Sequence, residues 1–166
     1  MSKPLVGIIM GSASDLPIMQ AAAEVLKKFG VKCELDVISA HRTPEKAIAY
    51  AQNAVKNGLK VIIAGAGGAA HLAGVIAACT PLPVIGVPIK ASISLDGWDS
   101  LLSMVQMPAG IPVATVAVDG AQNAGILAAQ MIATGDPVLL DKIIAFKEEL
   151  KAKVIAGSEE IRKKNN

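Results

Sequence analysis

The chain has 166 residues, 52% hydrophobic and only 2% aromatic, and its 16 Lys and Arg against 14 Asp and Glu leave a formal charge of +2. That length supports one domain with a substantial core and is short for two ordinary ones. The basic residues are scattered rather than blocked, which argues against nucleic-acid binding, and no apolar run reaches a membrane span without a Gly, Pro or polar interruption. A single soluble, cytoplasmic domain over residues 1–166 is expected, with an α/β core over 3–135 and a C-terminal helix and tail over 136–166.

In chain order, the first apolar run, residues 5–10, is broken by Gly7 and ends at Gly11, so it reads as a strand and not as a targeting peptide. A helix over 16–29 follows, closed by Gly30 where a left-handed cap is wanted. Next come a strand over 34–38 and a helix over 44–57 that Gly58 closes. Thr43-Pro44 opens that helix, with Thr offering an N-cap oxygen and Pro at the first position, where its missing N–H costs nothing. Strands over 60–64, 83–87 and 113–118 then alternate with helices over 69–79, 97–106 and 120–133. The last segment, Pro137 to about Lys164, is an amphipathic helix carrying Ile143, Ile144, Leu150, Val154 and Ile161 among many charges. It is expected to dock on its neighbours and to fray at Asn165-Asn166. Short strands joined by helical segments make βαβ units, hence a parallel sheet in a three-layer αβα fold of the flavodoxin-like or Rossmann-like kind.

Charge is distributed unevenly. Between Val61 and Gly135 the only charged residues are Lys90, Asp96, Asp99 and Asp119, and the helix over 120–133 has no charged face. A helix apolar all round is buried on all sides, and large apolar surface in a soluble protein calls for a protein partner. An obligate homo-oligomer is expected. Cys33 and Cys79 lie far apart in apolar elements and lack ligand spacing, so they read as core residues rather than as a disulfide or metal site.

Ligands of open parallel sheets bind beyond the carboxyl ends of the strands, where the strand order reverses. In the order 2-1-3-4-5, the loops after the first three strands share one crevice. The first, Gly11 to Asp15, puts Ser12 and Ser14 at a helix N-terminus suited to phosphate, although Ser14 or Asp15 would serve equally as a plain cap. Asp15 is better suited to ribose hydroxyls. The second loop places Ser39, His41 and Arg42 in one turn. Arg42 offers a fork of donors matched to phosphate, and His41 a group that can both give and take a proton near neutrality.

In the third loop Gly65, Gly67 and Ala70 fit the loose dinucleotide pattern, but no Asp or Glu occurs between Glu45 and Asp96 to hold a ribose, which disfavours NAD. Its backbone at Ala66, Gly67 and Gly68 is assigned to a planar ring or carboxylate. His71, just beyond, is read as a supporting residue behind the reacting groups. No P-loop, H-E-x-x-H or nucleophile elbow is present, and two His with two scattered Cys do not compose a metal site. A phosphorylation receiver would need an Asp where the third strand ends in Ala64-Gly65.

The three loops, G-S-x-S-D from Gly11, S-A-H-R-T-P from Ser39 and A-G-A-G-G-A-A-H-L from Ala64, resemble the signatures of the PurE mutases. Gly86-Val87-Pro88, Gln106-Met107-Pro108 and Gly110-Ile111-Pro112-Val113 extend the likeness over most of Val6 to Ala133. The resemblance implies conversion of N5-carboxyaminoimidazole ribonucleotide to 4-carboxy-5-aminoimidazole ribonucleotide in purine biosynthesis, with no metal or organic cofactor, by an octamer with sites near subunit contacts. It implies that His41 moves the proton, that Ser14, Ser39 and Arg42 hold the phosphate and Asp15 the ribose, and that Ser12 with Ala66 to Gly68 holds the ring and the migrating carboxylate. Pathway logic adds a transient contact with the ATP-dependent synthetase that makes the carbamate. Animal-type carboxylases that take up CO2 directly carry Lys after the His and a more polar third loop, so Arg42 and residues 65–71 favour the mutase. That carboxylase, or a non-catalytic nucleotide-phosphate binding module, is the alternative reading. Departures from the family pattern are Ala73, where many relatives have Pro, and Asp96-Gly97-Trp98.

Overall fold

Strands and helices alternate in the computed structural model, which describes residues 3–165. They are β1 (Val6–Met10), α1 (Leu16–Phe29), β2 (Cys33–Val37), α2 (Pro44–Asn57), β3 (Val61–Gly67), α3 (Leu72–Cys79), β4 (Val84–Ile89), α4 (Trp98–Val105), β5 (Ala114–Thr115), α5 (Ala121–Ala133) and α6 (Pro137–Lys164). All strand pairs are parallel, in the order β2-β1-β3-β4-β5. The three central strands are buried nearly throughout, as near-continuous apolar runs require when both sheet faces are covered.

Alternation along those strands divides the core into two layers. Ile8, Ile63 and Ile85 face one side, against Met19, Ala22 and Leu26 of α1, Ala124 and Ala128 of α5, and Ile143 of α6. Ile9 and Ile62 face the other, against Ala47, Ala51 and Ala54 of α2, Ile76 of α3 and Met104 of α4. The result is a flavodoxin-like three-layer α/β fold. Gly30 and Gly58 close α1 and α2 in the left-handed conformation, with φ of 78° and 97°.

Four local features differ from the sequence expectation. β3 continues to Gly67, so α3 begins at Leu72 rather than Ala69, after a turn at Gly68. β5 is a two-residue edge strand, although Val116 N–H still donates to Gly86 O and Asp119 N–H to Pro88 O beside β4. Thr43 is at the N-cap of α2 but does not cap it through its side chain. With φ −138° and ψ 58°, its Oγ1 instead turns back to accept from Ser39 N–H at 3.1 Å and donate to Ser39 O at 3.0 Å. In α6 only Leu139 and Ile143 are buried, while Ile144, Leu150, Val154 and Ile161 are exposed, so docking involves only its first turns. Of the expected fraying end, Asn165 N–H donates to Arg162 O, and Asn166 lies outside the described residues.

Burial also accounts for the charge-free α5, which packs against α1, the sheet and α6 within the fold itself. The apolar surface left exposed lies elsewhere. Leu95 is 74% exposed, and Trp98, Leu102 and Val105, at one-turn spacings along α4, are 64%, 51% and 49% exposed. Among the described residues no helix is long and apolar enough to cross a membrane.

Candidate active site

Register puts the carboxyl ends of the strands level. Met10 pairs with Val37 of β2 and with Gly65 of β3, and Gly65 pairs with Val87 of β4. The loops that leave these strands therefore meet around one cavity of about 450 Å3. Ser12, Ser14, Asp15, Ser39, His41, Arg42, Ala66 and Gly67 all line it. Gly68 and His71 stand directly behind: Gly68 reverses the chain, and His71 reaches the cavity through His41.

The first loop is a short 3-10 turn, Ala13–Asp15, capped by Ser12, whose Oγ lies 3.4 Å from Ser14 N. Capping by Ser14 or Asp15 does not occur: Asp15 precedes α1 with no side-chain cap bond. Ser14 Oγ is 2.9 Å from Ser12 Oγ and 3.3 Å from Asp15 Oδ1. Asp15 is only 6% exposed. Burial pushes its carboxyl up from the ordinary value, against the opposing pull of the Ser14 hydroxyl, the Ser12 backbone and the Arg42 charge.

The second loop is wound tightly by Ser39, whose Oγ accepts from Arg42 N at 3.2 Å while Thr43 N–H donates to its carbonyl at 2.8 Å. Arg42 Nη2 donates to Gly11 O at 2.7 Å. Arg42 Nε also lies 3.4 Å from Ser39 Oγ. The guanidinium thus clasps the first loop to the second through Nη2 and Nε, which leaves its Nη1 group available to an anion. Gly11 N–H in turn donates to Gly65 O at 3.1 Å, joining the first loop to the third.

His41 and His71 meet edge to face, with ring centroids 5.0 Å apart and planes at 89°. His41 Nε2 is 2.9 Å from His71 Nδ1. At that distance one of the two nitrogens carries the hydrogen and the other accepts it, so the hydrogen placement on one ring determines that on the other. These are the only two histidines of the chain. His71 sits at the N-cap of α3 without capping it through its side chain, which leaves its ring free for His41.

The third loop requires glycine for close approach. A Cβ on Gly67 would lie 2.5 Å from Ala91 Cβ and 3.0 Å from Ile89 O, and Gly68 has a φ of +62° that other residues rarely adopt. The residue pressing on Gly67 belongs to a fourth loop that the sequence reading left out. Ala91, Ser92 and Ile93, after β4, line the cavity together with Leu72. The signal was present in the strand order, because a loop after β4 must lie beside the loop after β3 in any 2-1-3-4-5 sheet.

The AIR carboxylase family matches residues 5–153 of the chain. An N5-carboxyaminoimidazole ribonucleotide mutase of Synechocystis sp. is 57% identical over 160 residues, covering 96% of this chain and 90% of that protein. One from Pyrococcus horikoshii is 59% identical over 152 residues, covering 92% and 85% of the two chains. Among solved structures, that of Treponema denticola PurE superposes with a TM-score of 0.83 at 28% identity, covering 95% of this chain and 98% of the other.

Proposed function

Since the chain belongs to the AIR carboxylase family and converts N5-carboxyaminoimidazole ribonucleotide as a mutase of purine biosynthesis, we propose that His41 carries the proton for that conversion. The observation that carries this reading is the His41–His71 pair standing at the edge of a cavity whose other polar groups suit a ribonucleotide phosphate. The free donors of Arg42, with Ser14 and Ser39, hold the phosphate. Asp15 accepts from ribose hydroxyls, and Ser12 with the backbone of Ala66, Gly67 and Gly68 holds the ring and the carboxylate.

In the first half-reaction the carbamate N–C bond breaks, its electron pair stays on nitrogen, and that nitrogen takes a proton from the imidazolium form of His41, leaving it neutral, as CO2 departs. In the second, the ring carbon donates an electron pair to CO2 and its proton returns to His41, giving 4-carboxy-5-aminoimidazole ribonucleotide. No net proton is consumed. A group that must both give and recover a proton works best with a pKa near ambient pH, the natural range of imidazole. His71 is a positioning residue: through the shared hydrogen it holds the His41 ring and selects its tautomer. No step calls for a metal or organic cofactor.

Exposed Leu95, Trp98, Leu102 and Val105 support a homo-oligomer, with an octamer as the assembly the family suggests. The protein acts in the cytoplasm, where a transient contact with the ATP-dependent synthetase would deliver the labile carbamate. Sedimentation at micromolar concentration should give a multiple of the 17.0 kDa chain, and a monomer would overturn the assembly. For the chemistry, purified protein is mixed with N5-carboxyaminoimidazole ribonucleotide without ATP or metal while ultraviolet absorbance follows the product. Wild type should convert it, and His41→Asn should bind it without turnover. Near wild-type rates in His41→Asn would refute the assignment.

A further inference from the structure

The cavity is divided in polarity along the strand order. Loops after β2 and β1 supply Ser39, Arg42, Ser12, Ser14 and Asp15, whereas those after β3 and β4 supply Ala66, Leu72, Ala91 and Ile93, with Ser92 as their one polar side chain. Hydrogen-bonding groups suit the anionic ends of the substrate. An uncharged, linear CO2 gains little from them and is best confined by close-packed apolar groups. Ile93 is the exceptional member of this wall. Its side chain is 80% exposed at the cavity mouth, yet it lies directly over the Gly68 backbone, where a Cβ would come within 3.1 Å of Ile93 Cδ1.

The loop that presents Ile93 is strapped at both ends. Lys90 Nζ pairs with Asp96 Oδ1 at 2.7 Å, which closes the segment into a ring. Inside it, Ser94 N–H donates to Ala91 O at 2.9 Å, and Ser94 Oγ accepts from Gly97 N–H at 2.9 Å while donating to Asp99 Oδ1. Buried Ser100 anchors this base to β4, its Oγ donating to Ile89 O at 3.0 Å. So many bonds within a short loop, behind an apolar tip that is largely in solvent, hold that tip over the third loop.

We propose that Ile93, held by the Lys90–Asp96 strap, is a specificity-determining wall residue that keeps the released CO2 beside the ring until it is recaptured. This rests on the mutase mechanism above and adds the element that decides between recapture and escape. Each turnover ends either as the carboxylated product or as the uncarboxylated aminoimidazole ribonucleotide plus free CO2, and the wall sets that ratio without taking part in proton transfer.

The experiment measures that ratio. Wild type, Ile93→Ala, Ile93→Leu and Asp96→Asn are each given N5-carboxyaminoimidazole ribonucleotide in buffer containing 13C-bicarbonate. Mass spectrometry then reads the uncarboxylated ribonucleotide, the product and the 13C within the product, each corrected by a control without enzyme. Ile93→Ala should raise the uncarboxylated share by about tenfold and bring 13C into the product, the scale expected when one positioning contact is lost. Ile93→Leu, which refills the wall, should stay close to wild type. Asp96→Asn, which tolerates the local φ of 52° but breaks the strap, should shift the ratio the same way by a smaller factor. A wild-type ratio in both Ile93→Ala and Asp96→Asn would overturn the wall while leaving the mutase mechanism standing. Failure of wild type itself to convert the substrate would overturn both.

Discussion

Replacing His71 by Ala separates a positioning residue from a proton carrier. The side chain makes one hydrogen bond, between His71 Nδ1 and His41 Nε2 at 2.9 Å, and it is not among the residues lining the cavity. A hydrogen bond has a net worth of about 1 kcal/mol between neutral groups and up to ~3 where one partner is charged, as His41 is when it gives its proton, which corresponds to a kcat loss of about 5- to 160-fold. A lost proton carrier costs up to about 10⁴-fold. Because the groups proposed to hold the phosphate stand on the other two loops, KM should change by less than about twofold. His71→Asn should restore most of the rate, since its amide can place a polar atom near the lost Nδ1. The assay is steady-state conversion of N5-carboxyaminoimidazole ribonucleotide across pH, with thermal melting as a fold control. A His71→Ala rate within twofold of wild type would deny the positioning role, and a loss beyond about 10³-fold would make His71 a participant in the chemistry.

Arg42→Lys keeps the charge but cannot clasp Gly11 O while presenting a second donor pair, so KM should rise by about tenfold or more with a smaller change in kcat. Equal losses in both constants would argue against a phosphate-binding role. Asp15, whose carboxyl is raised by burial, binds its proton more tightly folded than unfolded. It therefore costs stability above its folded pKa and ceases to do so as pH falls through that value. Asp15→Asn should accordingly melt up to about 3 °C above wild type at pH 7, with the gap closing in acid, while losing affinity for substrate. A melting difference that grows on acidification would contradict the sign. Gly67→Ala must displace backbone at Ile89 or Ala91, and urea denaturation should show a loss of about 1–3 kcal/mol together with reduced turnover. An unchanged midpoint and rate would show that the loops after β3 and β4 do not pack as tightly as the geometry requires.

Local signals were legible because they depend on neighbours in the chain. Gly30 and Gly58 close their helices by left-handed geometry available to few other residues, and Pro44 opens α2 by lacking an N–H that nothing would have used. The apolar runs of β1, β3 and β4, spaced by helices, sufficed for a parallel sheet. Once that sheet is granted, the loops bearing Ser12, Asp15, Ser39, His41 and Arg42 must lie at its carboxyl edge. The motif resemblance then supplied the reaction, which loop chemistry alone had left open between an enzyme and a binding module.

Contacts between distant residues were a different matter. His41 and His71 are 30 positions apart and on loops that flank β1 from either side, so their 2.9 Å approach depends on strand order and register together. The same holds for Arg42 on Gly11 O and for Ile93 over Gly68, neither of which has a periodic or compositional signature. Thr43 shows the limit even at short range, since a hydroxyl suited to capping bonds to Ser39 instead once the preceding loop closes. In α6 the amphipathic pattern marked which residues seek burial, but only packing decided that Leu139 and Ile143 find it within this chain. Sequence alone thus determined the elements and the edge of the sheet where chemistry gathers, because hydrogen-bonding and hydrophobic preferences act locally. The tertiary structure decided that His41 meets His71 and that Ile93 comes to lie over Gly68, because those contacts depend on distances across the sheet.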